Sequence, residues 1–190
     1  KEDVRTSHIP IILLTAKDSL QDKEEGYQVG ADSYLTKPFS ATLLHSRINN
    51  LLESRKRLTE RFNTSTPHHN MDEKRALLAE SLNKLDNEFI EKINQLIEAR
   101  LSSEKIDIGY LADNMCMSKS TLYRKMKALT GLSTNEYVRK IKMQHAERLL
   151  LEGRYNISEV AFRVGINSVV YFRQCFKEEF GVLPSEYLKQ

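Results

Sequence analysis

Cysteine is nearly absent from this chain: Cys116 and Cys175 are the only two among 190 residues. Two isolated thiols with no CxxC spacing leave neither a disulfide framework nor a thiolate metal site, and they suit a reducing compartment. Both are expected to be buried and inert, because free cysteine mostly behaves as a small hydrophobe. Long apolar runs are missing too. The longest, Ile9 to Leu14, is interrupted by Pro10, far short of the roughly 20 residues a membrane span needs. The first residues are charged and polar, unlike a signal peptide. Lys1 stands where a methionine would open a complete chain, so a piece of a longer polypeptide is expected. Catalytic patterns are equally scarce. His8, His45, His68, His69 and His145 form no HExxH or nucleophile–base arrangement, and no GxGxxG or phosphate-binding loop occurs. Neither catalysis nor a resident cofactor is expected of this stretch.

What is present is an ordinary water-soluble composition, 40% hydrophobic and 29% charged, neither disordered nor membranous. Charge is unevenly spread. Residues 1–62 carry 10 basic and 9 acidic side chains, residues 63–104 carry 5 and 8, and residues 105–190 carry 14 and 9, so that the last third alone is +5. A basic excess attracts phosphates or acidic surfaces.

Three regions follow one another. Ile9–Leu14 (IPIILL) has the continuous apolar character of a strand buried on both faces. Residues 18–29 are helix-compatible and close at Gly30. Ser33–Thr36 is a second short strand, ended by Lys37-Pro38. Ser40 then caps a long helix, with Leu43, Leu44, Ile48, Leu51, Leu52 and Leu58 on one side. Strand, helix, strand, helix is the grammar of a parallel α/β sheet. Asn63–Asn70 (NTSTPHHN) holds turn formers and no apolar residue, so it is a linker, and its His68–His69 pair has no further ligand at metal spacing. From Met71 onward the pattern is helical. Leu77, Leu78, Leu82, Leu85, Phe89, Ile93, Leu96 and Ile97 make an amphipathic stripe, in one helix or in two with Asp86 as a second cap.

The last third contains a repeat. IGYLADNMCMSKSTLYRKMKALTG, from Ile108, pairs with ISEVAFRVGINSVVYFRQCFKEEFG, from Ile157. Ile108 aligns with Ile157, Leu111 with Val160 and Ala112 with Ala161. After one inserted residue, Leu122 aligns with Phe172, Met126 with Phe176, Lys127 with Lys177 and Gly131 with Gly181. Each copy is a short helix, a tight turn and a longer helix ending at glycine, with a small alanine where the second helix crosses the first. That is helix-turn-helix geometry. Between the copies, Ser133-x-x-Glu136 is a capping box opening a helix through Val138, Ile141, Ala146, Leu149 and Leu150 to Gly153. A spacer of about 20 residues is roughly 30 Å long, close to the ~34 Å between successive major-groove faces on one side of B-DNA.

The faces of the two longer helices differ in kind. Leu122, Met126 and Leu129 turn inward, leaving Ser120, Tyr123, Arg124 and Lys127 outward. Phe172, Phe176 and Phe180 turn inward, leaving Val170, Arg173, Gln174 and Lys177 outward. Arginine can fork to guanine, glutamine can pair with adenine, and valine can touch a thymine methyl. Lysine and helix N-termini suit phosphates.

Residues 106–188 resemble the AraC-type transcription regulators, on the motifs LADNMCMSKSTLYRKMKALTG, RKIKMQHAERLLLEG and VAFRVGINSVVYFRQCFKEEFGVLPSEYL. The resemblance implies two helix-turn-helix units joined by one central helix, whose recognition helices enter successive major grooves. The family usually has Phe where Ile166 stands and often Ser where Val170 stands, so any reading by Val170 is expected to be apolar. Residues 9–58 resemble the C-terminal half of a response-regulator receiver domain, on PIILLTAK and YQVGADSYLTKPF. There the resemblance implies that Thr15 and Lys37 line an acyl-phosphate pocket and that the Lys37–Pro38 peptide is cis. The aspartate that takes the phosphate, and the acids that hold Mg2+, would precede Lys1; Asp3 does not follow a buried strand and does not replace them.

The fold expected is therefore mainly α. A partial α/β, flavodoxin-like receiver fragment (1–62) and a helical linker (63–104) precede a double helix-turn-helix domain (105–190). The function expected is that of the output portion of a hybrid two-component phosphorelay protein. It would be a sequence-specific activator that binds double-stranded DNA as a homodimer, with RNA polymerase as a further partner. It would act in the bacterial cytoplasm, without membrane contact of its own, whatever anchors the intact parent. The receiver strands, short of neighbours, are expected to gain cover by self-association, aided by the near-heptad spacing of Leu44, Ile48, Leu51, Leu58 and Phe62. The competing class is a helical adaptor for an acidic protein, separable by duplex binding with a steep salt slope.

Overall fold

The computed structural model describes residues 3–16, 31–63, 84–102 and 106–188. The expected helix over 18–29, the linker histidines His68 and His69, and Leu77, Leu78 and Leu82 lie outside them. Two strands, β1 (Ile12–Thr15) and β2 (Ser33–Thr36), pair in parallel with Thr15 opposite Thr36. Period-2 alternation buries Ser33 and Leu35 on one face of β2. The IPIILL run is not buried on both faces as expected: Ile9, Ile11, Leu13 and Leu14 are exposed, Leu14 by 43%. Among the described residues β1 has β2 as its one strand neighbour, so the remaining edge and much of its apolar surface stay open.

Helix α1 (Ala41–Asn63) begins where Leu43 N–H donates to Ser40 Oγ at 3.1 Å, the cap expected there. It runs through Asn63, so the expected linker can begin only after that residue. Its six-residue apolar face is split. Leu44 and Leu51 are half-buried with Arg55 and Thr59, whereas Leu43, Ile48 and Leu52 are exposed; the side chains of Leu58 and Phe62 are not among those described. Among the described residues α1 packs along α4 (Lys119–Thr130).

Helix α2 (Lys84–Glu98) buries Phe89, Ile90, Ile93 and Ile97, the stripe that threes and fours require. Asp86 does not cap it. It lies inside the first turn, buried, with its carboxylate spent on Lys125.

The repeat is a structural one. Helices α3 (Ile108–Asn114) and α4 form the first unit; α6 (Ile157–Arg163) and α7 (Val169–Phe180) form the second. Their turns carry the same backbone bonds. Met117 N–H donates to the Ala112 carbonyl and Ile166 N–H to the Ala161 carbonyl, both at 2.9 Å. Both alanines are buried, as a close helix crossing requires. Each longer helix ends on a left-handed glycine, Gly131 at φ 72° and Gly181 at φ 79°, a conformation other L-residues avoid. The turn itself also goes left-handed, at Gly165 in one copy and at Cys116, φ 53°, in the other. That turn places Cys116 at the surface, so only Cys175 is buried as expected.

Helix α5 (Thr134–Leu151) joins the units. Ser133 Oγ accepts from Glu136 N–H at 3.3 Å and Glu136 Oε2 accepts from Ser133 N–H at 2.7 Å, the expected reciprocal box. Tyr137, Ile141, Met143, Ala146 and Leu150 of α5 connect Leu122 and Met126 on one side to Phe172 and Phe176 on the other in one continuous core. A final short helix, α8 (Pro184–Tyr187), lays Tyr187 edge-on to Phe176 at 5.6 Å between ring centroids.

Candidate nucleic-acid interface

Both reading faces stand out from the core as the repeat implies. On α4, Leu122, Met126 and Leu129 are buried, while Ser120, Tyr123, Arg124 and Lys127 are exposed. On α7, Phe172 and Phe176 are buried, while Val170, Arg173, Gln174 and Lys177 are exposed, Val170 by 76%. The caps hold these faces. Thr121 N–H donates to Ser118 Oγ at 3.1 Å and Tyr171 N–H to Ser168 Oγ at 3.3 Å. Arg124 Nε reaches the Ser120 carbonyl at 3.4 Å, and Gln174 Nε2 donates to Glu178 Oε1 at 3.1 Å. Gln174 must leave that glutamate before it can pair with a base.

Ser120, Tyr123 and Arg124 are brought together around a surface cavity of about 400 Å³, completed by Ile108, Lys119 and the start of α5 at Ser133, Thr134 and Asn135. Thr134 is buried and its hydroxyl has no hydrogen-bond partner among the described residues. Two cations, a helix N-terminus and an unpaired hydroxyl around one concavity make a surface suited to anions.

Three lysines carry roles that the sequence pattern alone did not suggest. Lys140 of α5 lies 3.3 Å from Glu179, and Lys142 donates to the Gly165 carbonyl at 3.2 Å. Both are buried, so the spacer helix clamps the end of α7 and the turn of the second unit. Lys125, on α4 itself, is fully buried and paired with Asp86. Burial pulls its pKa down, against the opposing effect of the hydrogen bond that it donates to Asp86. The signal for Lys125 was its place between the inward residues Leu122 and Met126 and the outward Arg124; a lysine there has to find an acid. Part of the basic excess therefore holds the fold, while Lys119, Arg124 and Lys127 of α4 and Arg173 and Lys177 of α7 remain exposed.

The family model described as a response regulator receiver domain matches residues 2–49, and that described as a helix-turn-helix domain matches residues 111–190. Histidine kinase P4 of Formosa agariphila is 35% identical over 187 residues, 98% of this chain and 13% of the kinase. The dual transcriptional regulator Rns of Escherichia coli is 32% identical over 99 residues, 52% of this chain and 37% of Rns. The chain carries a receiver-domain segment followed by an AraC-type helix-turn-helix domain. It spans a small part of the kinase and about a third of Rns. Its fold is similar to that of ToxT from Vibrio cholerae, with a TM-score of 0.51 at 21% identity over 60% of this chain and 45% of ToxT.

In the receiver segment, Thr15 and Lys37 are neighbours at the carboxyl ends of the strands. Lys37 N–H donates to the Thr15 carbonyl at 2.7 Å, Thr15 is half-buried, and the Lys37 side chain is exposed beside a cis Lys37–Pro38 peptide. The carboxyl edge of a parallel sheet is where such folds hold ligands. Among the described residues no three His, Cys, Asp or Glu side chains converge as a metal would require. No helix among them is long and apolar enough to cross a membrane.

Proposed function

We propose that this chain is the output portion of a two-component phosphorelay protein and regulates transcription by binding specific duplex sites. The observation that carries the proposal is the duplicated unit: two capped helices with polar outward faces, fixed to one core by a spacer whose 18 residues measure about 27 Å. Helices α4 and α7 enter successive major grooves. Arg124 and Arg173 take guanine edges, Gln174 takes adenine, and Val170 meets a thymine methyl. Ser120, Tyr123, Lys127 and Lys177 contact the sugar-phosphate backbone, and the Thr134 cavity receives a phosphate at the start of α5. Those contacts fix register and orientation; the base contacts fix the sequence.

The chain itself binds rather than catalyses. In the whole protein, phosphorylation of a complete receiver domain, with Thr15 and Lys37 beside the acyl phosphate, drives dimerisation, and the DNA-bound dimer engages RNA polymerase. Selection of binding sites from random duplexes tests the reading. Enrichment of two short motifs about one helical turn apart, with affinity that falls steeply with salt, supports it. Retention of acidic protein with no enriched duplex would replace it with an adaptor function.

A further inference from the structure

The placement of one recognition helix relative to the other is set through α5. Within the double unit the main helix contacts of the spacer run to α4 on one side and to α6 and α7 on the other. Apolar packing joins them in one core, but that force is non-directional and leaves angles loosely defined. Directional contacts tie the second unit to the spacer. Lys142 Nζ donates at 3.2 Å to the carbonyl of Gly165, the left-handed turn residue (φ 67°) before α7. Lys140 Nζ lies 3.3 Å from Glu179 Oε1, in the last turn of α7. Arg139 adds a surface pair with Glu178 at 3.5 Å. Both ends of the second recognition helix are thus tied to α5.

Lys140 and Lys142 are two residues apart, about 200° around a helix of 3.6 residues per turn, so they reach the unit from different flanks of α5. A single line of contact would act as a hinge; grips on two flanks resist both tilting and rolling. Both lysines are buried, where apolar side chains of similar volume are often equally stabilising. Such contacts add little net stability, but they hold one arrangement and reject others. That matters on DNA. One helical turn is about 10–10.5 base pairs over about 34–36 Å, so one base pair added between half-sites moves the second by about 3.4 Å and turns it by about 34°. A helix about 10–12 Å across in a groove about 12 Å wide has little room to follow.

We propose that Lys140 and Lys142 are positioning residues for α7: they fix its phase relative to α4 and make the chain selective for one half-site spacing. Being buried, neither reads a base. The proposal rests on the DNA-binding reading above and deepens it. The outward residues of α4 and α7 read each half-site, and the two lysines measure the distance between them. With apolar packing alone, α7 would roll on α5 and accept shifted half-sites.

The test uses the whole chain, a selected duplex, and duplexes with one base pair inserted or removed between the two motifs. The parent should prefer the selected spacing about tenfold or more, the scale of one or two lost base contacts. In Lys140→Met/Lys142→Met that preference should fall to about threefold or less, while the ranking of base substitutions within each motif stays as in the parent. Glu179→Gln weakens the Lys140 grip from a half-buried position and should lower the preference by a smaller factor; it carries the test if the double variant does not fold. A parent indifferent to spacing overturns the proposal. So does a cooperatively melting variant that keeps the parent's preference while losing affinity equally at all spacings. Residual dipolar couplings without DNA give a second readout. One alignment tensor should fit both units of the parent and fail to fit both in the variant. A single tensor that still fits both overturns the lock, even if no duplex binds and the DNA-binding reading itself has failed.

Discussion

Replacing Asp86 with alanine should cost more than any single surface change in this chain. Lys125 and Asp86 are 0% and 2% exposed at their side chains, and the Lys125 ammonium lies 4.8 Å from the centroid of the Phe89 ring. Removing Asp86 leaves an ammonium in an apolar pocket with Ser7 as its remaining hydrogen-bond partner. Breaking such a pair typically costs about 3–5 kcal/mol. Losing the proton is no cheaper: neutralising at pH 7 a lysine of ordinary pKa 10.5 costs about 4.8 kcal/mol. For a cooperative unit of about 100 residues that is a fall in Tm on the order of 10–20 °C. The double variant Asp86→Leu/Lys125→Met removes both charges and keeps the volume filled, so it should lie within about 1 kcal/mol of the parent or be more stable. Urea unfolding of the parent, Asp86→Leu, Lys125→Met and the double variant gives the coupling energy directly. An Asp86→Ala cost below about 1 kcal/mol, or a double variant as unstable as Asp86→Ala, refutes the reasoning.

Other consequences can be measured in the same way. Arg124→Ala should lose about 1–3 kcal/mol at one base position while leaving other positions alone; unchanged discrimination among site variants removes Arg124 from the readers. Lys177→Ala should weaken all duplexes alike and reduce the slope of log K against log salt by about 0.9, as salt titration will show. Phe176→Ala should cost about 3–5 kcal/mol, since Phe176 is fully buried and touches Phe180 at 4.5 Å and Tyr187 at 5.6 Å; thermal melts report it. Burial, then the Lys125 charge, hold the pKa of His8 below its usual value, with Arg55 and Arg124 adding to this and Asp86 opposing. The unfolded chain therefore binds the proton first. The contribution is intact above about pH 6.5 and is lost as pH falls through the lower folded value, with a slope of at most about 1.4 kcal/mol per pH unit. His145 adds a loss of the same sign through its own burial, so His8→Gln should flatten part of the slope between pH 7 and 5 rather than all of it.

Much of the last third was legible because local signals and tertiary demands agree there. Small alanines at 112 and 161, the cap at Ser133, and glycines at 131 and 181 each admit few conformations, and each sits where the pattern put it. Among the described residues the receiver segment was legible in its two strands, their pairing and the helix that follows, but not in burial. An IPIILL run states its hydrophobicity and says nothing about how many neighbours will cover it. The sequence left Asp86 open as a second cap because an acidic residue near a helix start fits both a cap and a first-turn position; only the buried Lys125 across from it decides. Long-range polar contacts such as Ser7 with Lys125, 118 positions apart, leave no periodic trace. The outward faces of α4 and α7 were legible as faces, since the inward stripes define them by exclusion. That Gln174 is engaged by Glu178 was not, because i,i+4 pairing depends on which rotamer the glutamine takes.

The central claim is that α4 and α7 occupy neighbouring major grooves at the same time. Methylation protection on a selected duplex addresses it most directly, because guanine N7 lies in the major groove. The account predicts two clusters of protected guanines about 10 base pairs apart on one face, one lost in Arg124→Ala and the other in Arg173→Ala. A single cluster, or two clusters that both survive these substitutions, contradicts it.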